Sequence, residues 1–137
     1  MRRYLLDTSP LAAYLQGRPI AMALMSPWLQ RREVATSVIS YAEVDEYIRG
    51  FPDYQRRHIA LRRLMHDIYP YTLTYPALER YGEIRLRLRP PHGPGLIGDL
   101  DTLIAAIALA RDLTVVTTDS DFQRVPNLKL MLLPRLR

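Results

Sequence analysis

The chain has no cysteine, a single lysine and no long apolar run. Without thiols, disulfides, thiol catalysis and thiolate-built zinc sites are all excluded. No stretch approaches the roughly 20 apolar residues that a membrane span requires. The opening MRRYLLD is basic, but its apolar run covers only Tyr4 to Leu6, too short for a signal-peptide core. A cytoplasmic protein with no membrane partner is the expectation. The three histidines, His58, His66 and His92, lack metal-ligand spacing, and neither G-x-S-x-G nor a phosphate-binding loop motif occurs. Internal repeats and low-complexity segments are absent too.

The lysine deficit is matched by an arginine excess. Eighteen of the 19 cationic residues are arginine, and with 14 acids the net charge is +5. Guanidinium forks grip phosphate in a bidentate way that lysine cannot, and a positive surface attracts polyanions whatever its origin. A coding bias toward arginine codons accounts for the composition equally well. The 137 residues suit one domain spanning 1–137, long enough to bury about two-thirds of the unfolded surface.

Along the chain, strand and helix signals alternate. Tyr4 to Leu6 is a short apolar run closed by Asp7-Thr8-Ser9-Pro10, and the Ser-Pro pair predicts a helix starting near Pro10. A helix follows over Ile20–Arg31, then a β-branched strand over Val34–Ile39. Ser40 to Glu43 fits a capping box, predicting a helix to about Arg49. Tyr54–Asp67 is amphipathic, with Ile59, Leu64, Met65 and Ile68 toward one side. Tyr69–Leu73 suits a short strand. Pro76–Arg89 suits a helix, although IRLRLR (Ile84–Arg89) alternates with the period of a strand. Pro90–Gly98 is a loop. A helix over Leu100–Ala110, a buried strand over Thr114–Thr118 and a last strand over Asn127–Leu133 complete the series. This order predicts an α/β fold with a mostly parallel central sheet flanked by helices.

In such a sheet the strand C-termini and the helix N-termini share one edge, where open α/β sheets bind their ligands. Asp7 ends the first strand and Asp119 the strand TVVTT. Glu43 and Asp101 are expected in the first turns of their helices. Four acids from four distant places thus meet on one rim. Singly, each has a plainer role: Glu43 closing a capping box, Asp99 capping the last long helix, Asp7, Asp119 and Asp121 forming turns. Together they would repel by about 4 kcal/mol per pair at 4 Å in an effective dielectric of 20, and some would hold protons at neutral pH. A hard cation relieves that repulsion, and oxygen-only ligands favour Mg²⁺ or Mn²⁺. The implied chemistry is metal-assisted phosphodiester hydrolysis. Five acids committed to such a site leave nine others against 19 cationic residues, a balance of +10 elsewhere that suits a long polyanion. The clusters Arg56, Arg57, Arg62, Arg63 and Arg85, Arg87, Arg89 are the candidate backbone contacts.

The segments YLLDTSPL, VISYAEV, IGDLDTLIAAIALA and VVTTDSDF resemble, in order and spacing, the four acidic blocks of PIN-domain ribonucleases. In length and block form the chain is most similar to the stand-alone toxins of VapC-type toxin–antitoxin pairs. The resemblance runs from Leu5 to about Val125. It implies a three-layer α/β/α domain and a Mg²⁺- or Mn²⁺-dependent endoribonuclease. It also implies a homodimer, silenced by a VapB-type antitoxin whose C-terminal segment enters the active site. By position the family's acids fall on Asp7, Glu43, Asp101 and Asp119, with Thr8 and Thr117 as supporting hydroxyls. Many relatives keep the acid before phenylalanine instead of the earlier one. This chain has both Asp119 and Asp121, and the fourth position is open between them. Two rivals from other classes are a receiver-type regulatory module and a non-catalytic nucleic-acid-binding protein. Receivers need a lysine late in the sheet, and Lys129 follows the wrong strand.

Overall fold

Neighbouring residues of the central strands point to opposite faces of the sheet, and each face builds its own core. The computed structural model describes residues 1–137. Strands β1 (Tyr4–Leu6), β2 (Val34–Ser37), β3 (Tyr69–Tyr71), β4 (Thr114–Thr117) and β5 (Leu130–Leu132) form one sheet in the order β3-β2-β1-β4-β5. All four pairings are parallel, with Leu5 opposite both Ala35 and Val115. Six helices connect them: α1 (Thr8–Leu15), α2 (Pro19–Gln30), α3 (Val38–Ile48), α4 (Tyr54–Leu64), α5 (Tyr75–Leu88) and α6 (Asp99–Arg111). A short 3₁₀ helix covers Ser120–Arg124.

Leu5, Ala35 and Val115 face α5 and α6, packing with Ile84, Leu88, Ile104 and Phe122. Leu6, Val34 and Val116 face the other way, onto Leu11, Met25, Trp28, Val44, Ile48 and Leu61. The result is a three-layer α/β/α domain. Each fully buried Leu or Ile contributes about 1.5–3 kcal/mol relative to exposure. In α6 the run Ile104–Ala108 is buried on all sides, because alanines at 105, 106 and 108 let the helix approach the sheet closely. That packing fixes the helix start rigidly at the sheet edge.

Several sequence expectations shift. Helix α1 begins at Thr8, so Ser9-Pro10 lies inside its first turn and Asp7 takes the N-cap position. Helix α3 begins at Val38, with Ser37 as N-cap accepting from the Ser40 N–H. The Ser40–Glu43 capping box is therefore absent, and Glu43 stands in the second turn. The true signal was Ser37, the last residue of a strand that sequence reading extends to Ile39. Gly98, not Asp99, is the N-cap of α6. On α4 the inward residue is Leu61, while Ile59 is 52% exposed. The ambiguous IRLRLR is helical, burying Ile84 and Leu88 four residues apart and leaving Leu86 exposed. Strand β5 is confined to Leu130–Leu132.

Candidate active site

The strand order places β1 beside β2 on one side and β4 on the other, and the chain reverses direction of travel across the sheet between them. This is the topological switch point, and its carboxyl edge is the crevice where such sheets bind ligands. Asp7 leaves β1 there, and Thr117 ends β4 beside it. The Thr117 hydroxyl donates to Asp7 Oδ2 at 2.7 Å and accepts from the Asp119 N–H at 3.0 Å. One buried hydroxyl therefore ties two acids from opposite ends of the sequence.

Asp7 is 6% exposed. Burial pushes its carboxyl above the usual carboxylate range, against the lowering effect of the Thr117 hydroxyl and the Thr8 N–H; the charges of Glu43 and Asp119 push it further up. On α1 the Thr8 hydroxyl donates to Glu43 Oε1 at 2.6 Å, with Ser40 Oγ at 3.3 Å. Ser40 itself is buried. Its hydroxyl joins the strand end to the acid rim, a role hidden at the sequence level because Ser40 read as a helix cap.

Asp101 occupies the first turn of α6 and is partly buried. Its carboxyl is pushed up to about 6, first by burial, then by the charges of Asp7, Asp119, Glu43 and Asp121 in that order. These influences all act in the same direction. This is the like-charge crowding expected from the sequence.

The fourth block divides in two. Asp119 caps the 3₁₀ helix, its Oδ1 accepting from the Asp121 N–H at 2.9 Å. The backbone N–H of Asp119 is held by the same Thr117 hydroxyl that bonds Asp7, and the Asp119 charge acts on both Asp7 and Asp101. Asp121 instead has Arg124 at 3.7 Å. Asp99 is drawn outward, 2.7 Å from Arg85. Thus Asp7, Glu43, Asp101 and Asp119 share one rim, with Asp121 at its margin and Asp99 outside. No group of three or more His, Asp or Glu side chains forms a preformed metal cage.

Part of the expected nucleic-acid surface is engaged elsewhere. Arg56 and Arg57 both pair with Asp53 at 2.7 Å, and Arg57 also lies over the Phe51 ring. Arg85 is committed to Asp99. Lys129 pairs with Asp112, and His58 with Asp45.

The chain belongs to the PIN domain family, which it matches over residues 4–128. PIN domains are nucleases, hydrolases acting on nucleic acids. No curated protein matches the chain. Among solved structures, the crystal structure of VapBC2 from Rickettsia felis bound to a DNA fragment from their promoter is similar with a TM-score of 0.82 and 25% identity, covering 95% of this chain and 98% of that one. VapBC-1 from nontypeable Haemophilus influenzae gives a TM-score of 0.79 at 24% identity, covering 94% and 96%. FitAcB from Neisseria gonorrhoeae gives 0.76 at 22% identity, covering 93% and 96%. The latter two share the fold.

Proposed function

We propose that the chain is a Mg²⁺- or Mn²⁺-dependent endoribonuclease, the toxin half of a VapBC-type pair, acting in the cytoplasm as a homodimer and silenced by a VapB-type antitoxin. The observation that carries the catalytic reading is the shared edge itself: Thr117 bonds both Asp7 and Asp119, Thr8 bonds Glu43 beside them, and Asp101 opens α6, where its carboxyl feels the charge of the other acids. The donor set fits a hard divalent ion, since every side chain on the rim offers oxygen and none offers sulfur or imidazole. Asp7, Glu43, Asp101 and Asp119 would hold the ion, with Asp121 in support. The carboxylates do not already converge on one point, so holding an ion requires their side chains to turn inward. The partner reading draws on the similarity to VapBC2 from Rickettsia felis. No helix is long and apolar enough to cross a membrane.

When bound, such an ion polarises a phosphoryl oxygen and lowers the pKa of a coordinated water. The protein's own residues do the positioning. Thr117 holds Asp7 in one rotamer through its 2.7 Å hydrogen bond, and Thr8 does the same for Glu43. The buried helix α6 anchors the backbone of Asp101 at the sheet edge, and its partly buried carboxyl is left free to turn toward an ion. The N–H groups at the starts of α1 and α6 add donors suited to phosphate oxygens.

The direct test mixes the protein with labelled structured RNAs and Mg²⁺, with and without chelator. Cleavage that the chelator abolishes is the expected result. Intact RNA in both arms across several substrates contradicts the proposal.

A further inference from the structure

A groove of about 730 Å³ runs along α1, beginning at Thr8 and Thr118, the neighbours in sequence of Asp7 and Asp119. Arg18 lies beyond the far end of that helix. Residues 135–137 also line the groove, with Leu136 packed on the core cluster that includes Leu11 and Ala13 of α1. Not one acid lines it. Arg135 and Arg137 are exposed and form no ion pair, while Arg18 donates only to the neutral Gln16 side chain at 3.0 Å. This contrasts with Arg56, Arg57 and Arg85, whose charges are already met by carboxylates.

We infer that this groove is the track for the RNA strand, with Arg18, Arg135 and Arg137 gripping the phosphates next to the one that is cut. The identity of the strand rests on the nuclease reading; the anion-binding character of the groove rests on its own lining. A polyanion brought to a rim of carboxylates is repelled unless flanking cations hold it, and a guanidinium fork does this in a bidentate way. Thr8 belongs to both features, bonding Glu43 on one side and lining the groove on the other, so the track opens directly onto the rim. Helix α1 has eight residues and is about 12 Å long, enough for three to four nucleotides at the roughly 3.4 Å rise of a stacked strand. Tyr47 is half-exposed on the α3 side of the groove and offers an aromatic surface for a base.

The test measures equilibrium binding of a labelled single-stranded RNA across a salt series, in an Asp7→Asn background that keeps the RNA intact. One protein carries Arg18→Gln, Arg135→Gln and Arg137→Gln; a control carries Arg32→Gln, Arg111→Gln and Lys129→Gln, removing the same charge elsewhere. Three lost phosphate contacts reduce the slope of log K against log salt by about 2 and weaken binding roughly 30–100-fold near 0.1 M salt. The control is expected to change affinity less than about threefold, and lysines at the three groove positions to restore most of the slope. Equal losses in both proteins, or none in the groove variant, overturn the proposal. So does a groove variant that keeps RNA affinity but loses binding to a polyglutamate peptide, the signature of a site for an acidic protein segment. Binding is read without cleavage, so a wild-type protein that cuts no RNA removes the nuclease reading and leaves this comparison decisive for the groove.

Discussion

Replacing Asp101 by asparagine should make the ion-free protein more stable. The substitution keeps shape and removes one charge. Asp101 titrates at about 6 in the fold against an ordinary 3.8, so the folded state binds its proton more tightly than the unfolded chain does. Stability is therefore lost as pH rises from about 4 through 6, the reverse of the usual salt-bridged carboxylate. For a fully buried group, a rise of that size corresponds to about 3 kcal/mol. Asp101 is only partly buried, and solvent screening reduces this to about 1–1.5 kcal/mol. An opposing effect exists: an acid in the first turn of a helix gains about 0.3–1 kcal/mol from the macrodipole. The raised pKa says that burial and like-charge repulsion win. Thermal unfolding in chelator at pH 7.5 should place Asp101→Asn about 3–5 °C above wild type. The gap should shrink to less than half at pH 4.5. Saturating Mn²⁺ should reverse the order, because ion binding stabilises the wild-type fold by mass action. A variant that melts at or below wild type in chelator at both pH values refutes the crowding argument.

Other outcomes follow from the same geometry. Asp7→Asn and Asp101→Asn should each lower RNA cleavage at least about 100-fold, equivalent to about 3 kcal/mol of transition-state stabilisation, while circular dichroism stays native. Asp119→Asn should cost more activity than Asp121→Asn, since Asp119 is tied to Asp7 through Thr117 while Asp121 lies beside Arg124; equal, mild effects would remove both from the metal site. Thr117→Val removes the hydroxyl that steadies Asp7, and calorimetry should show divalent-ion affinity reduced about 10–100-fold. Leu61→Ala should destabilise by about 2–5 kcal/mol in denaturant unfolding, whereas Ile59→Ala, at an exposed position, should stay within about 0.5 kcal/mol.

The fold was legible where pattern and packing agree. TVVTT and VATS read as buried strands because β-branched runs with no polar face suit a parallel sheet covered on both sides. The rim was legible for the same reason: once strands and helices alternate, topology alone carries Asp7, Glu43, Asp101 and Asp119 to one edge. What escaped was local competition among caps. Ser37, Ser40, Gly98 and Asp99 all suit a helix start, and tertiary contacts decided between them: Ser40 bonds into the rim, and Asp99 is drawn away by Arg85 fourteen residues earlier. The inward face of α4 escaped because Ile59 is apolar but lies two residues, about 200° of helix rotation, from Leu61, the fully buried residue on which the side carrying Leu64 is centred. The basic groove could not be seen in sequence at all. Arg18 and Arg135 are 117 residues apart, and only the packing of the last residues against α1 makes them neighbours.

The central claim, that carboxylates from four separate stretches of the chain hold one divalent ion, is tested most directly by anomalous diffraction from a manganese-soaked crystal. The account predicts a strong peak bonded to Asp7 and Asp101 and to at least one of Glu43 and Asp119. A map with no peak on that rim, or with manganese bound only elsewhere, contradicts it.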